Sequence, residues 1–399
     1  MNKDKHIPQG YKDSPLGIIP KEWEVKRLGD IADITSGTTP LRANREYYNN
    51  GVIPWVKTTD LNNGTLYETE EKVSKEAVEK TSLKILPKGT VLVAMYGGFR
   101  QIGRTALLGI DATINQALSA LMCKSSVESP FVLAWLNCRV NYWKRLAASS
   151  RKDPNITGNE VAKFPILIPS KEEQGCIVEV LGLWDTAIEK QSELVEKLKL
   201  RKQALMQQLL TGKKRLPEFS GEWKKRTYSS ILTEVKRSLK WDENELYKLI
   251  SVRRRSEGLF FRESLYGRDI ATKNLRPAKT GDFLISKMQI VHGASGLVTD
   301  EFDDAKISGS YISLVSKDSN ILDIRYYNFW SQMPIFYHQT FVSSFGVHIE
   351  KMTFDLDTFM SFGMPLPPIE EQHAIVSLIE SVNKEIKLAN EKLTNYQSQ

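Results

Sequence analysis

Three short segments carry side chains suited to a polyanion and to the edges of bases. In Tyr96–Arg104 (YGGFRQIGR), Arg100 and Arg104 are cationic forks for guanine or phosphate, and Gln101 has the amide that pairs with adenine. The glycines allow close backbone approach, although the same composition also suits a turn with solvated arginines. In Ser149–Thr157 (SSRKDPNIT), Arg151, Lys152 and Asn155 sit in a polar loop able to clamp a backbone. The third segment is Arg253-Arg254-Arg255, followed by Phe260, Phe261 and Arg262, a basic run with aromatic interleaving that also fits a solvated face. Lys57, Lys287, Gln289 and His292 are further candidates of the same chemistry.

Catalytic tools are missing. Gly212-Lys213 lacks the glycine five residues earlier that a phosphate-cradling loop requires, and no H-E-x-x-H or G-x-S-x-G occurs. The histidines stand at 6, 292, 338, 348 and 373, without ligand spacing, so no metal site is expected. Asp153-Pro154-Asn155-Ile156 matches the N/D-P-P-[YF] signature of amino-methyltransferases only at its first two letters. Cys123, Cys138 and Cys176 are too few and scattered for a disulfide framework or zinc site, which suits a reducing cytoplasm. The N-terminus MNKDKHIPQG has no apolar core of a secretory signal, and no run approaches the ~18 apolar residues of a membrane span. A net charge of +7 permits an anionic partner without demanding one.

The elements that must position these segments are written twice. PSKEEQGCIVEVL (Pro169–Leu181) returns as PPIEEQHAIVSLI (Pro367–Ile379), and Trp23 and Ile31 return as Trp223 and Ile231. A period of roughly 200 residues means two domains rather than a solenoid. In the first, Thr90–Met95 and Gln116–Met122 read as strands and Pro130–Ala148 as a helix. LPKGTVLVAMYGG (Leu86–Gly98) has a parallel in PAKTGDFLISKMQ (Pro277–Gln289), which aligns Gly89 with Gly281 and Leu92 with Leu284.

Ser170 and Glu173 form a capping box ahead of a heptad seam. Ile177, Leu181, Trp184, Ile188, Val195 and Leu198 occupy it, with Gln191 and Lys202 as its polar members. Gly212 and Pro217 end the helix, which at 1.5 Å per residue is roughly 60 Å long. The second seam holds Ile375, Ile379, Val382, Ile386 and Leu393, with Ala389 and Tyr396. A long narrow apolar stripe needs a partner, and the simplest is the other seam, reached if the second helix runs back along the first.

The Pro…Glu-Glu-Gln…Ile-Val helix entries, the Trp-containing openings Lys21-Glu22-Trp23 and Gly221-Glu222-Trp223, Leu209–Lys213 (LLTGK), and the lead-ins Phe164–Pro169 and Pro365–Pro368 together resemble the specificity subunit of type I restriction–modification systems. The resemblance covers nearly the whole chain. It implies an α+β protein: target-recognition domain 1 over residues 1–168, a long helix over 169–213, target-recognition domain 2 over 214–366 and a second long helix over 367–399. The two mixed α/β domains would be separated by antiparallel coiled-coil helices in a pseudo-twofold repeat. Each domain would read one half of a split double-stranded DNA target, and the helices would set the spacer and dock modification subunits, two in number. Restriction subunits would join that core. The chain itself would be non-catalytic and without cofactor, with S-adenosylmethionine, Mg and ATP expected in the partner subunits. The second helix reaches Gln399 without counterparts of Arg201–Gly212. Two rivals stand beside this reading: a coiled-coil protein-interaction scaffold that does not bind DNA, and an enzyme on nucleic acid with a diffuse site. The salt slope of DNA affinity separates the first, and activity of the isolated chain the second.

Overall fold

Runs of buried aliphatic residues build a similar sheet in both parts of the chain, antiparallel except for the edge strand Thr65–Leu66 of the first, which runs parallel to Thr105–Leu108. The computed structural model describes residues 7–148 and 155–398. Its contacts group into two units, Met1–Thr186 and Ala187–Gln399.

In the first unit the strand order is Ala32–Ser36, Leu118–Cys123, Val91–Ala94, Thr105–Leu108 and Thr65–Leu66. In the second it is Leu232–Glu234, Tyr311–Ser316, Phe283–Ser286 and Ser295–Leu297. The central strands have no alternation because both faces are covered: Val91, Leu92, Val93 and Ala94 are all fully buried. Each buried Val or Leu contributes about 1.5–3 kcal/mol. The sequence parallel between Leu86–Gly98 and Pro277–Gln289 is a parallel of structure. Gly89 and Gly281 turn into the central strands with φ of 90° and 88°, a region that favours glycine.

A second sheet also recurs. Ile53–Val56 runs parallel to Thr113–Ile114, with Trp55 opposite Thr113, and Leu246–Val252 meets Lys306–Ser308 in parallel, with Leu249 opposite Lys306. The predicted helix over Pro130–Ala148 is two helices, Ser129–Cys138 and Val140–Ala148. Arg139 leaves the helical region at φ −106°, ψ 20°, so one apolar stripe becomes two faces.

The repeated motif is a pair of latches. In the first unit Trp23 Nε1 donates to Glu173 at 3.1 Å, and Gln174 accepts from the backbone of Glu128, the cap of helix Ser129–Cys138. In the second, Trp223 Nε1 donates to Glu371 at 3.0 Å, and Gln372 accepts from the backbone of Asp323, the cap of helix Ile324–Trp330. Gln174 and Gln372 are fully buried, and each also donates to the proline carbonyl that starts its motif, Pro169 or Pro367. Buried amides must be paired, which is why Glu-Glu-Gln recurs together with a tryptophan so far upstream.

The long helices are Lys171–Leu209 and Ile369–Ser398. Within the second unit they run antiparallel: Gln191 meets Ala389, Arg201 meets Glu385, and Arg215, beyond the helix end, meets Glu371. Val195, Ile375, Ile379 and Val382 are buried, and Ile188, Leu198, Ile386 and Leu393 are half-buried. Three expected seam residues lie elsewhere. Ile177 packs on the core of the first unit, while Leu181 and Trp184 are 42% and 38% exposed. The paired part of the first helix is the end nearest Leu209, which is anchored in the second unit's core, whereas Ile177, Leu181 and Trp184 belong to the first unit.

Candidate nucleic-acid interface

Met95–Arg104 is the connection between the strands Val91–Ala94 and Thr105–Leu108. Lys287–Ala294 connects the corresponding strands of the second unit. The candidates Arg100, Gln101 and Arg104 and the candidates Lys287, Gln289 and His292 therefore occupy equivalent hairpin loops. The sequence parallel of Leu86–Gly98 with Pro277–Gln289 leads into both loops, but beyond it they differ in length and composition.

Each loop is locked in the same way. Gly103 and Gly293 adopt φ of 76° and 74°, with an aromatic ring packed where a side chain would stand. A Cβ on Gly103 would lie 2.8 Å from Trp143, and one on Gly293 would strike the Tyr337 hydroxyl. A later segment then hydrogen-bonds to the first residue of each loop. Ile156 N donates to Met95 O at 2.9 Å, and Phe354 N donates to Lys287 O at 3.0 Å. The first of these contacts brings Asn155 beside the loop holding Arg100. Arg151 and Lys152 lie outside the described residues.

Arg253, Arg254 and Arg255 join the second unit's loop. Arg255 N donates to His292 O at 2.7 Å and Ser256 N to Gly293 O at 2.9 Å. Arg253 stacks over Phe260 at 4.9 Å. Arg254 Nη2 lies 3.0 Å from Glu350, whose other oxygen is 3.2 Å from His292 Nε2. The Arg254–Glu350 pair is exposed at 45% and 60% and is worth under about 1 kcal/mol, so it leaves the guanidinium available to a phosphate. Arg100 and Gln289 are exposed, and Lys287 is half-buried. Arg104 Nη1 donates to Gln101 Oε1 at 3.2 Å, which holds that pair as one unit.

Lys57 departs from this group. Its ammonium lies 2.9 Å from Glu70 and 2.8 Å from Glu71, and its side chain is 19% exposed. Its hydrogen bonds to those carboxylates hold its pKa above the usual lysine range. That charge is balanced inside the domain, and Lys57 ties the segment after Val56 to the strand Glu71–Val73.

A model of the type I restriction modification DNA specificity domain matches residues 20–199 and again 221–395. The chain belongs to that family. The type I restriction enzyme MjaIX specificity subunit of Methanocaldococcus jannaschii is 33% identical over 198 residues, 48% of this chain and 45% of that protein. The EcoR124I/EcoR124II specificity subunit of Escherichia coli is 27% identical over 188 residues, 47% and 46% of the two chains. The chain thus spans about half the length of the curated relatives it matches. The crystal structure of a type I restriction–modification S subunit from M. genitalium shares the fold, with a TM-score of 0.55 at 12% identity over 94% of this chain and 93% of that one.

Both matches to the DNA specificity domain contain one of the hairpin loops. Among its described residues this specificity-domain chain has no cluster of three His, Cys, Asp or Glu able to hold a metal, and no helix long and apolar enough to cross a membrane. Sequence reasoning missed Tyr337, Ser256 and Glu350, which fix the second loop. Nothing in their local sequence marks them, because each acts on a loop distant in the chain. It also missed the exposed apolar residues Phe345, Val347 and Ile349, exposed by 60%, 95% and 49%, on the segment that precedes Phe354.

Proposed function

We propose that this chain is the non-catalytic specificity subunit of a type I restriction–modification complex, with each domain reading one half of a bipartite DNA target. The observation that carries the reading is the matched pair of contacts Ile156–Met95 and Phe354–Lys287. They gather cations, amides and glycine-locked backbone around one hairpin in each unit, although the two loops differ in sequence. Equivalent scaffolds with different loops suit two different half-sites. Arg100, Gln101, Arg104, Asn155, Arg253, Arg254, Arg255, Lys287 and Gln289 are the proposed DNA contacts.

The long helices set the spacer and dock the modification subunits, to which restriction subunits attach. Val180, Leu181 and Leu183 on the first helix are 54%, 42% and 65% exposed, and Leu388 on the second is 68% exposed. Apolar positions of this kind suit a partner's helices. S-adenosylmethionine, Mg and ATP belong to those partners. Residues 1–168 and 214–366 are the exchangeable readers, and 169–213 and 367–399 the frame.

Domain exchange tests the reading. Replacing residues 216–365 by the equivalent part of another family member should change one half of the methylated target and leave the other half and the spacer intact. Mapping methylated adenines reads the result directly. A change in both halves, or in neither, would overturn it.

A further inference from the structure

In the second unit a cleft of about 500 Å³ opens between the long helices and the globular part. Its wall carries Lys199, Lys202 and Arg255 together with the amides of Gln203, Gln207 and Asn383, and among the described residues no carboxylate lines it. Lys199 is held 2.7 Å from Glu196. Lys202 and Arg255 have no carboxylate partner among the described residues.

Both residues are placed against ordinary preference. Lys202 takes a seam position where an apolar residue would pack, and it is half-buried. Burial holds its ammonium below the usual lysine range. A desolvated cation without a counter-charge is unfavourable, and an approaching anion relieves it. Arg255 and Ser256 have left-handed backbones, with φ of 60° and 56°. Such strain costs on the order of 1–3 kcal/mol and persists only where the surroundings impose it. Here His292 and Gly293 accept both backbone amides, and Ser256 Oγ lies 2.7 Å from the Tyr337 hydroxyl. Arg255 therefore stands on a rim shared by the cleft and the second hairpin loop.

We propose that this cleft receives a phosphodiester of the DNA backbone, on the spacer side of the half-site read by the second unit, with Lys202 and Arg255 as its cations. The inference rests on the DNA reading above and deepens it: the helix pair grips the spacer as well as measuring it. Continuity with the loop selects DNA as the anion, since Arg255 lines the cleft and is bonded to the loop that the reading above assigns to DNA.

The test uses the full chain assembled with its modification subunits on a duplex bearing its mapped target. Affinity is measured by fluorescence anisotropy across a salt series. Lys202→Met and Arg255→Gln should each lower the slope of log K against log salt by about 1 while preserving the target sequence, and Lys202→Arg should keep the slope. Neutral methylphosphonates in the spacer should weaken the parent complex, and weaken Lys202→Met by less, since only Arg255 then remains to lose the phosphate's charge. Thermal unfolding of Lys202→Met should be no lower than the parent's; if that variant unfolds instead, Lys202→Gln decides. An unchanged slope in a folded Lys202 variant would remove this contact and leave the DNA reading standing. A parent complex that binds no DNA would remove both.

Discussion

Gln191 on the first long helix donates its side-chain amide to the carbonyl of Ala389 on the second, at 2.9 Å, in the buried seam. A single polar pair in an apolar seam fixes register, because any slip leaves it unsatisfied. Gln191→Ala should lower stability by about 1–3 kcal/mol, read as a shift in denaturation midpoint. Gln191→Leu should lose less, since the lost hydrogen bond is replaced by apolar contact. Equal losses would mean that the bond does not matter.

The two latches differ in burial, and their variants should differ accordingly. Glu371 is fully buried, Arg215 lies against it in a bidentate pair at 2.6 and 2.7 Å, and Trp223 adds a third bond. Glu371→Ala strands a guanidinium and should lose about 3–5 kcal/mol. Glu173 is exposed and its carboxylate accepts from Trp23, so Glu173→Ala should lose about 0.5–1.5 kcal/mol. Chemical denaturation of both variants separates the cases.

Gly103→Ala and Gly293→Ala should each deform one reading loop. The left-handed backbone disfavours alanine, and Trp143 or Tyr337 blocks its methyl. A loss of about 1–3 kcal/mol is expected in each domain. Methylation mapping should show relaxed choice in one half-site per variant, a different half for each.

Stability should carry an acid-sensitive contribution from the first domain. Arg42, and then Lys57, hold the Glu71 carboxyl below the usual carboxylate range. A lowered folded value gives stabilisation that is present above the unfolded value of about 4.3 and lost as pH falls through the folded one. Glu71→Gln should therefore be less stable than the parent by about 1 kcal/mol at pH 7, and the difference should shrink in acid. Urea midpoints at neutral and acid pH measure it.

Burial also separates two positions on the long helices. Ile379 is 1% exposed, so Ile379→Asp should unfold the second unit, because an unpaired charge cannot be buried there. Leu181→Asp should leave folding intact and reduce co-purification with modification subunits. Loss of folding in Leu181→Asp, by circular dichroism, would count against an exposed docking surface.

The amino-acid sequence by itself determined the frame. Pro169 and Pro367 with their Glu-Glu-Gln triplets, Trp23 and Trp223, and the heptad steps from Gln191 to Leu209 are local patterns, and local patterns survive reading in one dimension. Ser170 and Glu173 marked a helix start because capping is settled within one turn. The tertiary structure alone decided which candidates share a place. Met95 meets Ile156, Lys287 meets Phe354, and Arg255 meets His292 through backbone bonds across long stretches of chain, which no local spacing encodes. It also decided which charges are balanced. Lys57 and Arg100 look alike as cations, yet Lys57 lies against Glu70 and Glu71 while Arg100 stands exposed. Leu181 and Val195 both occupy the seam, but only Val195 is buried, because burial depends on what the fold packs against each position and not on the spacing itself.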